Sequence, residues 1–301
     1  ARCSVGPAPV RPASAARRIA ITVGGLGSTS ESAGIDDLRT GDLGYAPDHV
    51  VRFSYLGGRT PSGQPGGALG GIPARAYASA DTQGDVNAVA ARLADFVEDV
   101  LAADPDATVD IYGHSLGGLV TRLALIELEE RGADLGRLGV VTTLATPHRG
   151  ADLATAIAAA NTGPAGNIAL DATGSALDLD LDPDAIVVRQ LSADSDVVRR
   201  LAVEGVPPGV HLVSIAARGD LVAAAPRTAV AGSTNITVPV VGWDAHRSLV
   251  GAEEATAEMA RALAGRPPGC ESWPDVMADV LAGQAISALE GHVTTGVSAP
   301  G

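Results

Sequence analysis

Gly113-His114-Ser115-Leu116-Gly117-Gly118 is the stretch on which the fold of this chain is decided. Immediately before it, Ala107-Thr108-Val109-Asp110-Ile111-Tyr112 is an apolar, β-branched run that predicts a short strand. After it, Leu116, Leu119, Val120, Leu123 and Ile126 recur on one helical face. Ser115 is therefore expected on a strand-to-helix turn. Glycines at 113 and 117 let the backbone pass tightly where side chains would collide, which lifts the serine hydroxyl clear of the sheet. The helix that starts there adds a favourable field for developing negative charge. A glycine-flanked serine alone is a weak signal in a chain rich in Ala and Gly, but set between a strand and a helix it marks a candidate nucleophile.

Upstream, Arg18-Ile19-Ala20-Ile21-Thr22-Val23 reads as a buried strand that runs into Gly24-Gly25-Leu26-Gly27. A helix is expected from Ser28, whose spacing to Glu31 fits a capping box. Val50 to Tyr55 predicts a second strand, and Gly57 to Pro73, rich in Gly and Pro, reads as a mobile surface loop. A helix is expected from Asp85 to Ala103, where Val86, Val89, Leu93, Phe96, Val97 and Val100 keep helical spacing. Downstream of the serine, Gly132 should end the helix. Leu138 to Ala145 predicts a strand that ends at Thr146-Pro147-His148-Arg149-Gly150. Residues 151–208 then change character, with an alanine-rich helix, a Gly/Asn break and aspartates at 178, 180, 182 and 184. We read them as a cap inserted over the active edge. Val210 to Ala216 and Asn235 to Val241 predict further strands, and Ala252 to Ala264 a helix.

Strands alternating with helices predict an α/β protein with a mostly parallel sheet, helices on both faces, and ligands at the carboxyl ends of the strands. The expected organisation is one domain over residues 1–301. Its core is 18–150 and 209–265, its cap 151–208, and its C-terminal helix and tail 266–301. Residues 1–17 read as an irregular arm. Residues 272–290 carry Trp273, Val276, Val280 and Ile286 on one face, which suits a helix docked on the body, with a membrane surface or partner as the alternative.

Composition excludes some classes. The formal charge is −14 and the isoelectric point about 4.7, which argues against nucleic acid as partner because phosphate binding needs clustered cations. All 21 basic residues are arginine. No apolar run reaches the roughly 18–20 residues of a membrane span, and residues 1–18 lack the apolar core of a signal peptide. The expectation is a soluble, already trimmed mature chain. Cys3 and Cys270, each beside proline-rich segments, are candidates for a disulfide that closes nearly the whole sequence, which would favour an oxidising, extracellular setting. Two unrelated thiols are the alternative.

A serine nucleophile needs a base, and a histidine near neutrality is the usual one. Of the six histidines, His114 adjoins the serine but should point away from its hydroxyl. His49 and His211 are expected at the opposite edge of the sheet, and His292 lies in the tail. His246, after the last predicted strand in Gly242-Trp243-Asp244-Ala245-His246, sits on a loop able to bring its ring over Ser115. His148 is then expected to line the cap or pocket. The base needs a carboxylate to set its tautomer, and Asp220 follows a strand and precedes the histidine loop, with Asp194, Asp196 and Asp244 as rivals. Oxyanion donors are expected from the amides of Leu116 and Leu26, where the glycines around Leu26 allow close approach of substrate. Gly25, His114, His148 and Trp243 are the candidate pocket residues. The glycine loop lacks a nucleotide-binding pattern, and the aspartate run lacks the glycine and glutamate of a calcium loop, so neither cofactor nor metal is expected.

These stretches together resemble bacterial lipases and esterases of the α/β-hydrolase fold. The similarity is strongest to small extracellular triacylglycerol lipases and to the lipase-like domain of glycosylphosphatidylinositol-inositol deacylases. The matching residues are Val23 to Gly27, Gly113 to Gly118, Ala145 to Gly150, Gly219 to Val222 and His246 to Leu249. The resemblance implies Ser115 as nucleophile, Asp220 as acid, His246 as base, Leu26 and Leu116 as oxyanion donors, and ester hydrolysis without a cofactor. It departs where many relatives have His-Gly in the oxyanion loop and this chain has Gly24-Gly25. The expected protein is a secreted, monomeric serine esterase or lipase. Its substrate is expected to be an ester or lipid, met with transient contact at a lipid interface. An acyltransferase or amidase with the same triad, and a non-catalytic binding domain on the same fold, are the alternatives.

Overall fold

The computed structural model describes residues 2–4, 17–63, 65–151, 182, 184–242 and 244–269. Its seven-stranded sheet consists of β1 (Arg2–Ser4), β2 (Arg18–Val23), β3 (Val50–Arg52), β4 (Thr108–His114), β5 (Leu138–Leu144), β6 (His211–Ala217) and β7 (Thr234–Val238). Across the sheet the order is β1-β7-β6-β5-β4-β2-β3, with every pairing parallel except β1 against β7. The helices are α1 (Val86–Ala103), α2 (Leu116–Glu130), α3 (Ile186–Leu191), α4 (Asp196–Glu204), α5 (Ala225–Thr228), α6 (Ala245–Ser248) and α7 (Glu253–Leu263).

Alternation along the strands builds two cores. Ile19, Ile21, Val23, Val109, Ile111 and Val141 face one side, against Leu93, Phe96 and Val97 of α1 and Leu119 and Leu123 of α2. Ala20, Tyr112, Val140, Leu144, Val213 and Ile215 face the other, against Ala255 and Met259 of α7. Strands covered on both faces cannot alternate polar and apolar residues, which is why they read as continuous apolar runs. Each large side chain buried here contributes about 1.5–3 kcal/mol relative to exposure.

The chain leaves β2 outward to β3 and then returns to the other side of β2 as β4. That reversal opens a crevice at the carboxyl ends of β2 and β4, the position where open α/β sheets bind ligands. The loop after β2 begins at Gly24, and the loop after β4 contains Ser115.

Four expectations change. No helix starts at Ser28. Its hydroxyl donates to Gly25 O at 2.7 Å and lies 3.0 Å from Tyr77 Oη, and a 3-10 turn forms instead at Gly34–Asp37. The buried position makes Ser28 a tie between two loops rather than a helix cap. Residues 57–73 are anchored: Leu69 and Ile72 are buried in the first core, and the Arg59 guanidinium donates to Ile72 O, Thr60 O and Gly70 O. The arm at the start of the chain contains β1, which adds antiparallel to the otherwise open edge of β7; three residues beside a proline-rich stretch carry no strand periodicity. Finally, the stretch 151–208, read as a cap, contains the helices α3 and α4, which place Val187, Val188, Val197 and Leu201 in the first core. Residues 152–181 and 183 of that segment, and the stretch 272–290, lie outside the described residues.

One buried polar network sits inside the sheet. Asp110, fully buried, accepts from Arg18 Nε at 2.8 Å, from the second Arg18 nitrogen, from Tyr45 Oη at 2.6 Å and from Val140 N at 2.7 Å. Its carboxylate occupies the irregularity between Val109 and Ile111 in the β4–β5 pairing, and Gly139 has no Cβ to obstruct it.

Candidate active site

Ser115 links β4 to α2 with φ 54° and ψ −126°, a conformation a non-glycine residue rarely adopts. Such strain, about 1–3 kcal/mol, persists only where the surroundings over-determine it. They do so here. Ser115 N donates to Leu144 O at 2.9 Å, which extends the β4–β5 pairing, and Gly118 N donates to Ser115 O at 3.0 Å, which begins the helix. The flanking glycines serve close approach. A Cβ at Gly113 would lie 2.6 Å from Gly118 Cα, and one at Gly117 would lie 2.5 Å from Gly24 O. A Cβ at Gly118 would run into Thr146 Oγ1. The strained φ therefore belongs to the serine, while the glycines let α2 start hard against β2 and the loop after β5.

Asp220 follows β6, and His246 lies in α6, after β7. His246 Nε2 is 2.9 Å from Ser115 Oγ, and its Nδ1 is 2.8 Å from Asp220 Oδ2. The other oxygen of Asp220 accepts from Val222 N at 2.8 Å and Ala223 N at 2.9 Å, so the fully buried carboxylate is held by three N–H donors. Nδ1 of His246 must then carry its proton toward Asp220, leaving the Nε2 lone pair for the serine hydroxyl. Two of the three rival aspartates are engaged elsewhere, Asp194 with Ser192 Oγ and Asp196 with Arg199, and the carboxylate that meets His246 is that of Asp220 rather than Asp244.

The loop after β2 closes the site from the other side. A Cβ at Gly25 would lie 3.0 Å from Ser115 Cβ, so only glycine passes here without displacing the serine. Tyr55 Oη donates to Gly24 O at 2.7 Å, and Thr82 Oγ1 accepts from Gly27 N at 2.9 Å. Leu26 packs against the first core, and Leu116 is the first residue of α2, where an N–H has no intrahelical carbonyl to meet.

The remaining histidines separate by burial. His114 is 5% exposed, and its Nε2 donates to the main-chain carbonyl of His246 at 3.0 Å. Burial, and then the neighbouring His246, push its pKa down to about 3. His148, expected to line the cap or pocket, is 2% exposed, with Nε2 2.9 Å from Thr143 Oγ1. Burial and then the Arg122 guanidinium hold it well below the ordinary histidine range. Arg122, itself buried, donates to Leu201 O and Gly205 O at the end of α4, where the carbonyls lack helical partners. His211 begins β6 and His49 precedes β3, at the amino ends of their strands. Trp243 and Cys270 lie outside the described residues, so the pocket role of one and the disulfide of the other are not described; Cys3 lies in β1. Sequence reasoning did not find the bond from His114 to His246, because it joins a side chain to a main-chain atom 132 positions away.

Among the described residues no group of three or more His, Cys, Asp or Glu is arranged to hold a metal ion, and no helix is long and apolar enough to cross a membrane.

Residues 72–189 match the family model described as "Putative serine esterase (DUF676)". No curated protein matches the chain in sequence. Among solved structures, the chain is similar to the mature form of the Bacillus licheniformis lipase BlEst2, at 16% identity and TM-score 0.54, covering 86% of this chain and 97% of that one. It is also similar to Aspergillus fumigatus lipase B, at 14% identity and TM-score 0.53, covering 94% of this chain and 64% of that one. The propeptide form of BlEst2 gives 17% identity and TM-score 0.54 over 90% of this chain and 55% of that one. The fold is that of the α/β-hydrolases.

Proposed function

We propose that the protein is a serine carboxylic-ester hydrolase that works through an acyl-enzyme on Ser115. The observation that carries this reading is the hydrogen-bonded line Ser115 Oγ, His246, Asp220 at the carboxyl ends of the central strands, with the serine in a strained turn. The family match over residues 72–189 supports the same chemistry.

In this reading Ser115 Oγ attacks the acyl carbon as its proton passes to His246 Nε2. The Asp220 carboxylate stabilises the imidazolium that results and keeps its ring oriented. The tetrahedral oxyanion is met by the amides of Leu116 and Leu26, each donor being worth about 2.7–4 kcal/mol in the transition state. Collapse expels the alcohol, which takes its proton from His246. Water, deprotonated by the same nitrogen, then attacks the acyl carbon; the bond to Ser115 Oγ breaks, the carboxylic acid leaves, and His246 returns the proton to the serine. Substrate is a neutral ester with an apolar acyl chain: Leu221, next to Asp220, and Val241, ahead of His246, are both exposed and offer apolar surface beside the triad. An extracellular setting belongs to the same proposal and rests on the pair Cys3 and Cys270.

Two measurements test it. A fluorophosphonate probe should label the protein at Ser115 and fail to label Ser115→Ala; an unlabelled parent protein sinks the reading. Rates on p-nitrophenyl esters of increasing chain length, with and without an added alcohol or amine acceptor, separate hydrolysis from acyl transfer.

A further inference from the structure

We infer that His114 is the positioning residue of the base: its ring, wedged between Gly25 and Gly34, holds the main-chain carbonyl of His246 and so sets where that imidazole meets Ser115. This inference rests on the proposed role of Ser115 and His246.

The hydrogen bond fixes the tautomer. A carbonyl oxygen can only accept, so His114 Nε2 must carry the proton, and in a neutral ring Nδ1 then has only a lone pair. That Nδ1 is buried and has no hydrogen-bond partner, so no acceptor stands ready for the proton a charged ring would carry there. The two rings lie 5.0 Å apart at 48°. A permanent charge on His114 would therefore oppose the imidazolium that His246 must become. The groups facing His114 from other elements are His246, Asp220 and Arg247. Burial outweighs the single carboxylate among them, which agrees with a ring that stays neutral.

The wedge itself is braced. A Cβ at Gly34 would come within 3.1 Å of both Cε1 and Nδ1 of His114, close enough to shift the ring, while Gly25 borders Nδ1 from the other side at an ordinary contact distance. The turn carrying Gly34 is tied to the body through Asp36, which pairs with the buried guanidinium of Arg52, and Arg52 also donates to Thr29 O and Ser30 O. At its far end Asp37 lies 3.7 Å from Arg247, the residue after the base. The path from β3 through the 3-10 turn to His114 ends on the main-chain carbonyl of His246 and so restrains the backbone from which the base projects.

The test compares three variants. His114→Gln keeps an N–H near the position of Nε2, His114→Leu keeps volume without a donor, and Gly34→Ala presses a methyl against the ring. With p-nitrophenyl esters, His114→Leu should lower kcat about 10- to 100-fold, the scale of a small misplacement of catalytic groups, while KM stays within about twofold. His114→Gln should recover most of the rate, and Gly34→Ala should fall between. An unchanged kcat in His114→Leu, or equal losses in His114→Leu and His114→Gln, overturns the inference. If His114→Leu does not fold, nitrogen-15 NMR of the parent protein decides. The His114 ring should show the Nε2–H tautomer and remain neutral from about pH 8 to pH 5, where an ordinary histidine charges; the Nδ1–H tautomer or a titrating ring overturns it. Fluorophosphonate labelling of the parent protein keeps this outcome distinct from failure of the esterase reading, because the NMR result needs no activity.

Discussion

Asp220 Oδ2 stands 2.8 Å from His246 Nδ1, while Asp220 Oδ1 is held by the amides of Val222 and Ala223. The carboxylate therefore serves two purposes at once, orienting an imidazole 26 positions away and closing its own turn. Asp220→Asn preserves an acceptor for the turn but offers an N–H to Nδ1, which favours the wrong histidine tautomer. Its kcat for ester hydrolysis should fall on the order of 10³- to 10⁴-fold with little change in denaturation midpoint. Asp220→Ala should lose the same activity and also about 1–3 kcal/mol of stability, since two buried amides lose their acceptor.

Gly117→Ala should destabilise the protein by about 3 kcal/mol or more, at the top of the overpacking range, because its Cβ meets the backbone of Val23 and Gly24, which cannot rotate away. Gly71→Ala, with open space around it, is the control and should shift the urea midpoint little. Equal midpoints for the two variants would show that α2 does not start as close to β2 as described.

Removing the Asp110 carboxylate strips acceptors from Arg18, Tyr45 and Val140 together. Arg18 keeps about a third of its side chain in water and can rehydrate, so the loss falls below that of a fully buried ion pair. Asp110→Ala should cost about 2–4 kcal/mol by chemical denaturation, with fluorophosphonate labelling of the folded fraction unchanged.

The protein should lose stability as pH falls below about 6.5, before its carboxylates titrate. His114 and His148 have folded-state pKa values depressed below the 6.5 of a free histidine, the first to about 3. The unfolded chain thus takes up protons that the folded chain refuses. Their stabilisation is complete above pH 6.5 and declines as pH falls, by about 1.4 kcal/mol per pH unit for each buried ring, with the decline for His114 ending near pH 3. Urea denaturation between pH 6.5 and 5 should show this slope, and His148→Gln should remove about half of it. An identical slope in the variant would contradict a neutral, buried His148.

Much of the fold is legible along the chain because both faces of the sheet are covered. Ile19 to Val23, Val109 to Tyr112 and Leu138 to Leu144 read as strands since apolar residues dominate on both of their faces, with Asp110 and a few threonines as the exceptions. The elements missed are those with no period. Three residues of β1 gain their structure only from the open edge of β7, and the 3-10 turn at Gly34–Asp37 replaces the helix expected at Ser28 because Ser28 is tied to Tyr77. Asp110 offered a local sign of its network, an acid inside an apolar strand, but its partners Arg18 and Tyr45 are 92 and 65 positions away.

By itself, the sequence determined the buried central strands and the long helices beside them, the turn that carries Ser115, and the residue types able to act with it. These follow from short-range periodicity and from glycines at fixed offsets, which are local properties of a chain. Tertiary structure alone decided which histidines meet solvent and which carbonyl His114 holds. It also decided that a single aspartate reaches His246. Those are distances between segments that the chain brings together only by crossing the sheet, and a hydrogen bond to a main-chain oxygen leaves no mark on the identity of the residue that accepts it.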